Sequence, residues 1–90
     1  MTEFKVVACL WVDACSYRDG ELEDIDNEMG LRRLSIGLLR RDTEEYVLIQ
    51  HDAEPHNMAK SSHFIKIPKS LIIKIYKIGS IEINEIIKGD

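Results

Sequence analysis

The sequence predicts a mainly β domain: a small, strongly bent, partly open barrel of five strands. Three observations carry that prediction. Five runs rich in β-branched, aliphatic and aromatic residues occur at 4–12, 31–41, 44–51, 63–67 and 71–78. One long polar segment follows the first run, and the later connections are shorter. Finally, only Pro68-Lys69-Ser70 separates the last two runs, so the chain must turn sharply there, as a single 3₁₀ turn does between the closing strands of small barrels. A short helix within 20–30 or in the C-terminal tail fits the same pattern and would make the domain an α+β sheet. Ninety residues suffice for one core and not for two. We therefore expect one domain over 1–90, with an ordered core at about 3–78 and a tail at 79–90.

Residues 4–12 (FKVVACLWV) place Phe4, Val6, Ala8, Leu10 and Val12 on one face and Val7, Cys9 and Trp11 on the other, so this strand is covered on both sides, at least in part. From Asp13 to Glu28, seven acidic residues and one Arg replace that pattern, which reads as a long acidic loop with at most one helical turn. Gly30 leads into LRRLSIGLLRR, where Leu34, Ile36 and Leu38 share one face and Arg33, Ser35, Gly37, Leu39 and Arg41 the other. Gly37 marks a bend or bulge. Asp42-Thr43 breaks the pattern before EEYVLIQH, so 34–51 form a hairpin with a loop of two to four residues. Residues 52–62 (DAEPHNMAKSS) form a surface loop. HFIKI alternates and stops at Pro68, which has no N–H for a ladder, and LIIKIYKI follows until Gly79-Ser80 ends it. In the tail, Ile81 and Ile83 alternate as in a strand, while Ile83, Ile86 and Ile87 also fit a helical stripe. Ten isoleucines between residues 65 and 87 exceed what one short edge buries, and self-association into a homo-oligomer would hide them.

A hydrophobic content of 44% with 31% charged residues is that of a folded chain. Twelve basic against sixteen acidic residues give a net charge of −4, the opposite of the footprint of a duplex DNA binder. The opening MTEFKVVACLWVD lacks the basic and apolar layout of a signal peptide, and the apolar runs are too short to span a membrane, so a soluble cytoplasmic protein is expected. Cys9 and Cys15 are too few for a disulfide framework and are expected as reduced thiols, with Cys9 packed as a small hydrophobe.

Asp24-Ile-Asp26-Asn-Glu28 resembles the start of a calcium loop, but Met29 stands where the turn needs Gly, and Ser35 where a bidentate Glu would close the site. Cys9, Cys15, His51, His56 and His63 are soft ligands without the local pairing of a zinc site. Cys15 with His51 has the residue types of a thiol–imidazole dyad, but no oxyanion-hole signature accompanies them. The five glycines form no phosphate loop. No catalytic residue, metal or cofactor is therefore expected. Two basic clusters stand out: Arg32-Arg33 with Arg40-Arg41, and Lys60, Lys66, Lys69, Lys74 and Lys77 in a span without an acidic residue. They serve either as gatekeepers of apolar strands that pair with the acidic loop, or as anion sites. Trp11 is a core anchor or a stacking platform, and Tyr17 and Tyr76 have the amphipathic rings of contact surfaces.

Four pieces in order, Trp11-Val-Asp13-Ala14, Leu34-Ser35-Ile36-Gly37-Leu38-Leu39, Tyr46-Val47-Leu48-Ile49 and Ile67-Pro68-Lys69 with Ile73 and Ile75, resemble a pattern in small, largely uncharacterised phage-encoded proteins. Those proteins show Trp-x-Asp-Ser or Trp-x-Asp-Ala, a Ser-Val-Gly-Tyr-Leu-like strand, an aspartate-rich hairpin and a closing Ile-Pro-Lys-x-x-Ile. The resemblance spans roughly 10–78, and this chain carries Tyr17 and Gly20 where a further Trp often follows. A second, architectural likeness is to Sm-like barrels, although their Asp-Gly hairpin and Arg-Gly or Lys-Gly knuckle are missing, and Pro68-Lys69-Ser70 stands in the knuckle's place.

The phage resemblance implies a non-enzymatic accessory protein that binds, sequesters or inhibits a host component: a nucleotide-like immune signal or a host defence protein. Two devices are expected. An acidic face of Asp19, Glu21, Glu23, Asp24, Asp26 and Glu28 would mimic nucleic acid toward a basic host protein. Alternatively, Arg32, Arg33, Arg40 and Lys69, with Trp11, Asp13, Tyr17 or Tyr76, would line a pocket at a subunit boundary and hold phosphates. The alternative function is a single-stranded RNA-binding module using the Lys-rich 60–77 strands.

Overall fold

A computed structural model describes residues 3–13, 31–60 and 63–83. Five strands form along them: β1 (Glu3–Asp13), β2 (Leu31–Asp42), β3 (Tyr46–Gln50), β4 (Phe64–Pro68) and β5 (Ile72–Glu82), with a 3₁₀ turn at Lys69–Leu71. They make one sheet in the order β4-β3-β2-β1-β5, and every pairing is antiparallel.

The short turn at Lys69–Leu71 dictates the shape of that sheet. β4 and β5 are its two edges, yet only this turn joins them. Laid flat, five strands would separate the edges by about 19 Å, whereas three residues of 3₁₀ helix advance about 6 Å. The sheet must therefore curl until its edges approach at this corner. Among the described residues no β4–β5 ladder closes it, so it remains an open, bent sheet. The corner is tied down twice: Lys69 N–H donates to the Glu45 carbonyl at 2.8 Å, and Lys69 Nζ meets Asp42 Oδ1 at 2.6 Å.

The close approach of β3 to β2 also has a residue-level cause. At Gly37 a Cβ would overlap the Gln50 carbonyl oxygen and lie 2.8 Å from Ile49 Cγ2, so only glycine lets β3 approach this closely. The register slips by one residue between Leu39 and Arg41, which places a bulge at Arg40. The β2–β3 connection is Thr43–Glu45, within the predicted loop length. Thr43 Oγ1 accepts from the N–H groups of Glu45 and Tyr46 and organises the turn.

Val7, Cys9 and Trp11 from β1 meet Val47, Ile49 and Ile67, with Leu39, Ile65, Ile72 and Ile75 packed around them. Cys9 is fully buried, and that burial pushes its thiol pKa up, opposed in part by the charge of Lys69. It is a packed hydrophobe, as expected. β2 turns its less apolar face inward: Ser35 is buried, while Leu34 and Ile36 are 58% and 50% exposed. The reason is pairing. Trp11 lies opposite Arg33 and Cys9 opposite Ser35, so burying Trp11 and Cys9 carries the 33-35-37-39 side inward.

One boundary is corrected. β5 does not stop at Gly79-Ser80 but continues to Glu82, because Ser80, Ile81 and Glu82 pair with Lys5, Phe4 and Glu3 of the long first strand. A register slip places a bulge at Ile78 without ending the strand. The ordered core thus extends beyond residue 78, and Ile81 follows the strand reading. The region 20–30 and residues 84–90, with their possible helices, lie outside the described residues.

Candidate functional site

β1 pairs with β2 from Leu31 to Leu38, but β3 joins β2 only from Leu38 onward. The other edge of β2 over Leu31–Gly37 therefore has no described strand beside it. A cleft of about 510 Å³ lies along that edge. Its β2 wall is Leu31–Ser35, Trp11 and Asp13 supply the β1 side, and His51, His63 and Ile65 stand opposite.

Arg33 Nε donates to Asp13 Oδ2 at 2.7 Å, with the Arg33 side chain half exposed. Among the described residues the cleft is thus lined by two guanidiniums and one carboxylate. Trp11 is buried, and its indole N–H donates to Ser35 Oγ at 3.0 Å, so it is both a core anchor and part of the cleft wall. His51 Nδ1 lies 2.7 Å from the Ile36 carbonyl; since a carbonyl only accepts, Nδ1 carries the proton. The rings of His51 and His63 meet edge to face, with centroids 4.7 Å apart. From sequence, His51 and His63 are two of five soft ligands without local pairing, and they are not paired with each other. The signal existed, because they flank the 52–62 connection and the β3–β4 hairpin must bring them together; the His51 N–H in fact donates to the His63 carbonyl at 3.0 Å.

Of the predicted ligand residues, the fold brings Trp11, Asp13, Arg32 and Arg33 to one cleft. The others go elsewhere. Arg40 turns to the far end of β2, donating to Gln50 Oε1 and, at 2.7 Å, to the Met58 carbonyl, with its guanidinium 4.7 Å from the centre of the Phe4 ring. Gln50 Nε2 reaches the same carbonyl, so this cluster clamps the 51–60 connection to the sheet. Lys69 is held at the corner by Asp42. Tyr76 lies on β5, 45% exposed, with Lys74 over its ring at 4.8 Å. Tyr17 and the acidic face Asp19, Glu21, Glu23, Asp24, Asp26 and Glu28 lie outside the described residues, as does Cys15.

Four of the five lysines of the 60–77 span are engaged separately: Lys60 with Glu54 at 3.9 Å, Lys66 over the Tyr46 ring at 4.2 Å, and Lys69 and Lys74 as above. Lys66 and Lys74 stand on opposite edge strands of the sheet. Among the described residues no three His, Cys, Asp or Glu side chains gather in a way that would hold a metal ion, and no helix is long and apolar enough to cross a membrane.

No family model matches the chain, and no curated protein or solved structure matches it either.

Proposed function

We propose that this chain is a small, non-enzymatic, phage-type accessory protein that binds and sequesters an anionic component of its host. That component would be a nucleotide-like immune signal or an acidic surface of a defence protein, met in the host cytoplasm. The observation that carries the reading is the cleft along β2, lined by Arg32 and by Arg33, which pairs with Asp13, beside the apolar wall of Trp11 and Ile65. Guanidiniums present forked donors to phosphate or carboxylate groups, and an apolar wall suits the rest of such a ligand. The residues of the phage-like pattern agree with a scaffold role: Trp11 binds Ser35, Gly37 admits β3, and Lys69 locks the corner.

The finer fold reading, an Sm-like barrel, is part of this proposal and is supported by the 3₁₀ corner between the edge strands. Self-association is supported by exposed Ile73 and Ile78 on β5. The RNA-binding alternative has less support, because four of its five lysines already have acidic or aromatic partners on separate elements.

Thermal unfolding with and without millimolar inorganic pyrophosphate tests the anion site. The expected result is a concentration-dependent rise in Tm that disappears in Arg33→Glu. A rise that persists in Arg33→Glu, or no rise with any anion, overturns the site. Native mass spectrometry of protein recovered from infected cells then reports subunit number and any retained ligand.

A further inference from the structure

We propose that the ligand of the β2 cleft is an extended acidic polypeptide that adds as a further strand along Leu31–Ser35 of β2, where no strand lies beside that edge among the described residues. This rests on the anion-binding reading above and names the ligand class.

The argument begins with the backbone. In an antiparallel strand the N–H and C=O of one residue point to the same side, and the side alternates along the chain. The Ile36 carbonyl points away from β1, because His51 Nδ1 meets it from the β3 side at 2.7 Å. By alternation, the main-chain groups of Leu34 and Arg32 also point toward the cleft. Leu38 shares that parity, and its pairing with Gln50 is where β3 joins. A strand laid along Leu31–Ser35 would therefore continue the place that β3 leaves at Gln50. That edge is about 16 Å long, the reach of five extended residues and more than a single phosphate needs.

The side chains then specify what kind of strand. Alternate residues of β2 face opposite sides of the sheet, so Arg32 and Arg33 present one cation on each face. Two consecutive acidic residues would match both. Leu34, on the same face as Arg32 and 58% exposed, calls for an apolar residue two positions away from the carboxylate that meets Arg32. Since every pairing in the sheet is antiparallel, the complementary segment reads apolar-acidic-acidic from N to C, opposite Leu34, Arg33 and Arg32.

The test uses fluorescence polarisation with the full chain and a labelled peptide, Thr-Val-Ile-Glu-Glu-Thr. In this register the Ile and second Glu amides face β2. N-methylation of those two amides should weaken binding about tenfold or more, while N-methylation of the Val and first Glu amides should change it by less than about twofold. Arg32→Glu with Arg33→Glu should also weaken the parent peptide at least about tenfold, in a variant that still unfolds cooperatively. Equal effects of the two methylation patterns would overturn strand addition. So would a failure of the peptide to bind while pyrophosphate still binds in an Arg33-dependent way, which leaves the anion site standing. If neither probe depends on Arg32 and Arg33, the anion site itself falls.

Discussion

β2 is held differently along its two halves. From Leu31 to Gly37 it is paired with β1 on one side, and its other edge faces a cleft with arginines and histidines around it. From Leu39 to Asp42 it is paired with β3, and its surroundings are tied by Arg40, Gln50, Met58 and Lys69. The handover occurs at Leu38, which pairs with both neighbours, directly after the glycine that admits β3. The lesson is that one junction serves two ends. By bringing β3 in at Gly37, the chain builds a packed core on one side and, among the described residues, leaves the edge at Leu31–Gly37 without a neighbouring strand.

If that division is right, substitutions at the closed end should cost stability, and those at the open end should cost binding. The largest effect is expected for Ile49→Ala, which empties a fully buried site beside the handover and should lower the unfolding free energy by about 4 kcal/mol in denaturant melts. Ile36→Ala, half exposed on the outer face, should stay within about 0.5 kcal/mol. Similar losses in the two variants would dissolve the distinction between inner and outer faces.

Gly37→Ala should cost about 3 kcal/mol, since the new methyl meets backbone at Gln50 as well as Ile49 Cγ2 at 2.8 Å, and backbone cannot step aside as a side chain can. A neutral Gly37→Ala would show that β3 does not approach β2 this closely. Ser35→Ala leaves the buried Trp11 N–H without its acceptor and should cost about 1–2 kcal/mol, with a change in tryptophan fluorescence that Leu34→Ala does not produce.

Arg33→Glu removes a half-exposed ion pair and should change stability by less than about 1 kcal/mol while abolishing the pyrophosphate shift. The smallest effect concerns pH. The Cys9 thiol has a raised pKa in the folded state, so its contribution is flat below the unfolded value, about 8.5, and stability falls as pH rises beyond it, because the unfolded thiol ionises first. Cys9→Ala should flatten the alkaline part of the Tm profile. An unchanged slope would mean that this thiol ionises as readily folded as unfolded.

Much of the scaffold was legible from local pattern. The five apolar runs became the five strands, Asp42-Thr43 began a tight turn, and the three residues after Ile67 made the corner, because turn chemistry and period-two alternation act over a few residues. The candidate site was legible only in part. Trp11, Asp13, Arg32 and Arg33 converge because β1 and β2 are an antiparallel pair with Trp11 opposite Arg33. Arg40 reads with Arg33 as one basic cluster in sequence, but at the bulge beside Leu39 it meets Gln50 and Phe4 instead.

By itself the sequence determined strand number, the order of turns and the apolar inventory, since these depend on propensity and spacing along the chain. Tertiary structure alone decided which face of β2 is buried, where β5 ends and where along β2 the strand β3 joins. Each depends on register between strands distant in sequence: Cys9 opposite Ser35, Phe4 opposite Ile81 and Leu38 opposite Gln50. A shift of one residue in any of these pairings reverses every side chain that follows, and the residues of a single strand do not carry that information.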